Sequence, residues 1–98
     1  MSLMYHRKEH IIFAEDEGKK VLYNPMDGSF FAVNEVGDFI WSELEQRVTV
    51  NYLIDRVAEN FDVEVEELLE DISNFLEQLV ERDLISKVPY KDKNHGGQ

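Results

Sequence analysis

Between Ile11 and Tyr23 the apolar positions fall in two short runs, Ile11–Ile12–Phe13–Ala14 and Val21–Leu22–Tyr23, separated by Asp16–Glu17–Gly18. β-Branched and aromatic runs bounded by turn formers predict a β-hairpin. Asn24–Pro25–Met26–Asp27–Gly28 reads as a second turn, Pro pre-setting the backbone and Gly accepting the left-handed position at its end. A third strand, Ser29–Phe30–Phe31–Ala32–Val33, follows, and the three make an antiparallel meander. Alternate strand residues point to opposite faces, so Phe31 and Val33 go one way and Phe30 and Ala32 the other. Both registers are apolar, and alternation alone leaves open which one faces the rest of the molecule.

After Asn34 the period lengthens to that of a helix. Asn34 is placed to cap it, its side-chain oxygen accepting an N–H of the first turn. Val36, Phe39, Ile40 and Leu44 then fall on one face. Trp41 stands one position off that stripe and is assigned to helix packing. Gly37 is a weak point, costing up to about 1 kcal/mol against Ala, which close packing against a neighbour would explain. Thr49 opens a second helix with Leu53, Ile54, Val57, Ala58 and Phe61 as its stripe, broken at Asn60–Phe61–Asp62. A third and longest helix is predicted over residues 64–83. Its wide apolar face comprises Val65, Leu68, Leu69, Ile72, Phe75, Leu76, Leu79 and Val80. Leu84–Ile85–Ser86 is expected to fold back onto the core. The fold class is therefore α+β: a three-stranded antiparallel meander followed by three helices, the last two forming a helix-turn-helix.

Length and composition narrow the picture. A chain of 98 residues, 43% apolar, is one domain that buries roughly 60–65% of its unfolded surface. The domain is expected over 10–86, with 1–9 a flexible N-terminus or cloning remnant and 87–98 a flexible tail. Against 10 basic residues stand 21 acidic ones, a formal charge of −11. That balance disfavours nucleic acid and anionic membranes, whose phosphates are bound by clustered Lys and Arg. With no cysteine, disulfides, thiolate metal sites and cysteine nucleophiles are excluded within this sequence. His6 and His10 lie four apart in extended chain, about 13 Å, too far for one metal ion. No phosphate-binding glycine loop, nucleophile elbow or zincin pair is present. No cofactor is expected, and without a signal peptide or membrane span the expected location is the cytoplasm.

Several features together resemble one family. They are Tyr23–Asn24–Pro25 with Gly28, Val33–Asn34–Glu35 leading into Ile40–Trp41, and Thr49 opening a helix that closes at Phe61–Asp62–Val63. Asp71–Ile72, Phe75–Leu76, Leu79 and Leu84–Ile85 complete the pattern. Over residues 21–85 the chain is similar to the PqqD-like proteins, recognition domains of ribosomal peptide modification pathways. The resemblance implies a winged-helix-like fold that performs no chemistry. It implies capture of a precursor's leader peptide, added as a strand, and its presentation to a separate modifying enzyme, often a radical S-adenosylmethionine enzyme. Carried over residue by residue, the peptide edge is Ser29, Phe30, Phe31, Ala32, Val33 and Asn34. The floor is Leu68, Asp71, Ile72, Phe75 and Leu79.

The residues agree with such a use. An open strand edge is usually blunted by charge, Pro or a bulge, and Ser29–Val33 has none of these. Strand addition by a peptide is one use of such an edge; pairing of two copies into a homodimer is another, so monomer and edge-strand dimer both stay open. On the third helix Leu68 and Phe75 fall toward one flank, and Leu69 and Val80 toward the other; the first is taken as the groove. Glu64, Glu66, Glu67, Glu70, Asp71 and Glu77 crowd that helix, with Arg82 alone on the positive side. Either those acids lie off the groove, or the peptide is basic or apolar where it passes them. The alternative to peptide capture is a winged-helix DNA-binding protein or transcription co-regulator, whose recognition helix would here be acidic.

Overall fold

The structure, a computed structural model, describes residues 3–89. The meander is present as strands β2 (Ile12–Asp16), β3 (Lys19–Asn24) and β4 (Ser29–Val33), antiparallel and in that spatial order. Glu17 and Gly18, both at positive φ (54° and 81°), make the two-residue hairpin turn between Asp16 and its partner Lys19. Two successive left-handed residues match the twist of the flanking strands. The β3–β4 turn is organised by Asn24, which is buried at 3% exposure. Its carbonyl accepts the Gly28 N–H at 2.7 Å and its side-chain oxygen the Met26 N–H at 2.9 Å.

Three helices follow: α1 (Glu35–Glu43), α2 (Val50–Asn60) and α3 (Val65–Glu81). Both expected caps form. Asn34 accepts the Gly37 N–H at 2.8 Å and Thr49 the Tyr52 N–H at 3.1 Å. α3 ends in a Schellman turn, Leu84 N–H donating to the Leu79 carbonyl and Asp83 N–H to that of Val80, both at 2.9 Å. Asp83 takes the left-handed position (φ 65°) that glycine usually fills. The turn throws Leu84 and Ile85 back into the core, where they are 1% and 2% exposed.

The ends of the domain differ from expectation. Leu3–Arg7, read as a flexible lead-in, is strand β1. Ile85–Pro89, whose last residues were assigned to the tail, is strand β5. The two pair antiparallel from Leu3↔Pro89 to Arg7↔Ile85 as a second, two-stranded sheet. Tyr5 anchors it, buried among the helices and exchanging backbone hydrogen bonds of 2.7 and 3.0 Å with Val48. No local pattern marks β1, because only Tyr5 of its five residues is buried and its partner lies at the far end of the chain. The rest of the expected tail, and residues 1–2, fall outside the described residues.

One core joins these parts. Leu22 from the meander, Ile40, Trp41 and Leu44 from around α1, Leu53 and Val57 from α2, and Leu68, Ile72, Leu76 and Leu79 from α3 meet within it. Phe31 and Val33 pack against this cluster, so their register faces inward. Phe30, 61% exposed, points outward with its ring 4.8 Å from that of Tyr23. A Lys20–Asp38 ion pair at 2.7 Å ties β3 to α1, and the Asp38 carboxylate raises the Lys20 pKa.

Candidate functional site

Strand β4 pairs with β3 along one edge; its other edge has no strand beside it among the described residues. Its inward side chains reach α3 and the residue after it. Phe31, from the inward register, meets Phe75 of α3 with ring centroids 6.2 Å apart. Where β4 passes into α1 the two walls separate around a cavity of about 300 Å³. Asn34, Val36, Gly37 and Ile40 line one side, and Leu68, Asp71, Ile72 and Phe75 the other, with Val63 from the α2–α3 loop. The result is an apolar trough beside a row of peptide groups that no strand pairs among the described residues.

Gly37 explains how the walls come so close. A Cβ there would stand 3.1 Å from the Val33 Cβ and 3.2 Å from the Phe75 ring tip. Carbon atoms prefer about 3.5–4.0 Å. Glycine lets α1, β4 and α3 converge at this spacing without displacing a neighbour, and the loss of helix propensity is offset by that packing.

The residues singled out from sequence are distributed as follows. Ser29, Phe31 and Val33 are half-buried along β4, while Phe30 and Ala32 are exposed on its outer face. The Asn34 side chain is engaged as the helix cap, and its residue borders the cavity. Leu68, Asp71, Ile72 and Phe75 come together on one flank of α3, whereas Leu69 faces outward at 57% exposure. Leu79, grouped with them on sequence, is fully buried in the core and is not part of the cavity wall. Val36, Ile40 and Val63 also line the trough but were read as packing or as loop. Their stripe positions carry no signal separating a core wall from a groove wall.

The acids of α3 sort by position. Glu64, Glu66, Glu67 and Glu70 are exposed and line no part of the cavity. Glu77 is turned to the β1–β5 side, where it accepts from Lys87 at 3.0 Å. Asp71 alone faces the trough. A larger hollow, about 530 Å³, lies elsewhere between His6, Arg7, Lys8, Phe13, Trp41 and Glu45. Its cations are engaged internally, Lys8 with Asp83 and Arg7 with the Trp41 carbonyl and ring. Phe13 comes from β2, itself an edge strand, but most of the lining is charged or polar, and the apolar β4 trough is the better candidate for a binding site.

Two solved structures share this architecture. TbiB1 in complex with the TbiA(beta) leader peptide superposes with a TM-score of 0.69 at 25% identity, over 89% of this chain and 99% of that one. A lasso peptide synthetase B1 complexed with the leader peptide gives a TM-score of 0.70 at 17% identity, over 84% and 96%. No curated protein matches the chain. The family model of coenzyme PQQ synthesis protein D (PqqD) matches residues 19–85, from β3 to the first residue of β5, and the chain belongs to the PqqD family.

Proposed function

We propose that this chain is a leader-peptide recognition protein. It captures the leader of a ribosomally made precursor as an added strand on β4 and presents that precursor to a separate modifying enzyme. The observation that carries this reading is the unpaired edge of β4 beside an apolar trough, in a fold shared with two proteins solved with leader peptides bound. Ser29 to Asn34 supply the edge, and Leu68, Asp71, Ile72 and Phe75 the wall against which peptide side chains rest.

The magnitudes set the division of labour. A five-residue added strand makes about five backbone hydrogen bonds worth roughly 1 kcal/mol each net. Ordering a flexible leader costs about 2–5 kcal/mol or more, leaving little from backbone pairing alone. Each apolar side chain seated in the trough adds about 1.5–3 kcal/mol. The cavity wall therefore sets specificity and most of the net affinity.

The chain itself is non-catalytic in this reading, and the chemistry belongs to its partner. On the family resemblance we assign that partner to the radical S-adenosylmethionine enzymes, with the encounter in the cytoplasm. No helix among the described residues is long and apolar enough to cross a membrane. Two copies pairing through β4 would occupy the same edge, so dimerisation of that kind and peptide capture exclude one another. Duplex DNA is disfavoured by the −11 charge and by the exposed Glu66, Glu67 and Glu70 on α3.

The test is an NMR titration of the chain, ¹⁵N-labelled, with the leader of a precursor encoded beside it. Amide signals of Ser29 to Val33 and of the α3 flank are expected to shift together. Unchanged β4 amides at millimolar leader would refute strand addition.

A further inference from the structure

The trough is flanked by opposite charges. At the end where β4 enters α1, Asp71 stands on the cavity wall across from Asn34 and Gly37. Toward the other end the Arg82 guanidinium lies 5.2 Å over the Phe31 ring. Phe31 meets Phe75, and Phe75 lines the cavity, so the succession along α3 is Asp71, cavity, Phe75, Phe31, Arg82. Eleven residues at about 1.5 Å each separate the two charges by about 16 Å along the helix. Lys8, Lys20, Arg56 and Lys87 each pair with a carboxylate; Arg82, like Arg7, Lys19 and Arg47, pairs with none among the described residues, and of these four it is the one stacked on a β4 ring. In a chain of −11, a cation stacked on Phe31, the ring that meets the trough's Phe75 wall, is placed to meet an anion from outside.

We propose that the trough reads the order of charges along its peptide: a basic residue at Asp71, an apolar residue in the cavity and an acidic residue at Arg82, at alternate positions of an extended segment. This rests on strand addition to β4. A peptide residue opposite Phe31 has its side chain on the same face, with its Cβ about 4.5–5.5 Å away, within reach of Arg82. Two residues on, the next side chain on that face lies opposite Val33, at the cavity. Two further on, about 13 Å from the first, a long side chain comes level with Asp71.

Direction follows from the strands. β4 runs from the Arg82 end to the Asp71 end, and antiparallel pairing is slightly more stable per residue than parallel. The peptide then reads basic, apolar, acidic from its N-terminus. Because the other acids of α3 lie off the trough, they act only as a distant field that slows acid-rich peptides. The ligand class is a leader of near-neutral charge carrying this ordered triplet, not an acid-rich one.

The experiment uses the full chain and three synthetic peptides set in a Ser/Thr frame. One has the core Lys-Thr-Leu-Thr-Glu, one the reversed and therefore charge-swapped core Glu-Thr-Leu-Thr-Lys, and one the first core again with a C-terminal spin label that marks the chain direction. Affinities are read from β4 amide shifts, and direction from line broadening at Ser29 against that at Asn34. The first peptide is expected to bind roughly threefold to tenfold more tightly than the reversed core, the difference shrinking at high salt. Arg82→Glu should weaken the first peptide by a similar factor and strengthen the charge-swapped one, while leaving thermal stability within a few degrees of wild type. Arg82→Lys should keep the preference. Equal affinities for all three, with β4 shifts intact, overturn the charge rule and leave strand addition standing. Absence of β4 shifts with all three, and with the leader itself, overturns both.

Discussion

Replacing Gly37 with Ala tests whether the trough is as closely built as its geometry states. In a free helix the change would stabilise by about 0.8–1 kcal/mol, from propensity alone. Here the new methyl would meet the Val33 Cβ at 3.1 Å and the Phe75 Cζ at 3.2 Å, with the Asn34 cap oxygen at 3.4 Å. The Val33 Cβ is bonded to the β4 backbone and cannot rotate away. The Phe75 ring tip can swing, but it lines the cavity on one side and faces Phe31 on the other. Overpacking of this kind costs about 1–3 kcal/mol. The expected net effect is a loss of about 1 kcal/mol, which lowers Tm by about 4–8 °C in a domain of this size. Leader affinity, measured on the same sample by calorimetry below the transition, should fall together with stability, because relief of the clash moves either β4 or Phe75. A rise in Tm of about 4–8 °C with unchanged leader affinity would mean that the propensity gain is realised in full. The close approach would then be slack and glycine unnecessary there.

Other outcomes follow from single contacts. Asn34→Ala removes the acceptor of the Gly37 N–H and should cost about 1 kcal/mol in chemical denaturation, with an unchanged m-value. Phe75→Ala, which removes a half-buried ring from both the trough and the Phe31 contact, should cost about 2–3 kcal/mol. Phe75→Leu should lose under about 1.5 kcal/mol yet still weaken the leader, separating recognition from folding. Burial first, and then Glu77, push the Tyr5 hydroxyl above its ordinary pKa of 10.0, with Lys87 pulling it partly back. The folded state then holds its proton where the unfolded chain has lost it, so stability present below pH 10 declines as pH rises beyond it. Tyr5→Phe should flatten that alkaline decline in urea melts taken between pH 9 and 11, and an unaltered slope would assign the decline to other groups.

Much of the fold was legible in short stretches of chain. Turn chemistry at Asp16–Glu17–Gly18 and from Asn24 to Gly28, the two caps Asn34 and Thr49, and three helical stripes each depend on residues within a turn or two of one another. Even the close packing at Gly37 was visible as a breach of propensity, although the neighbours that explain it were not. β1 was missed because a strand with one buried side chain has no period to detect; its identity comes from β5, across nearly the whole chain.

What the sequence by itself determined is therefore the kind and order of the elements from β2 to α3, the acidic character of the surface, and the absence of cysteine chemistry. Only the tertiary structure decided that Phe31 and Val33 face inward, that the second edge of β4 lies open among the described residues, and that Asp71 but not its acidic neighbours borders the trough. Only the tertiary structure set Arg82 over Phe31. The physical reason is range: turns, caps and stripes are selected by interactions between near neighbours in sequence. The facing of an ambiguous strand and the lining of a groove are selected by which distant surfaces exclude water together, and neither wall of this trough carries that choice in its own residues.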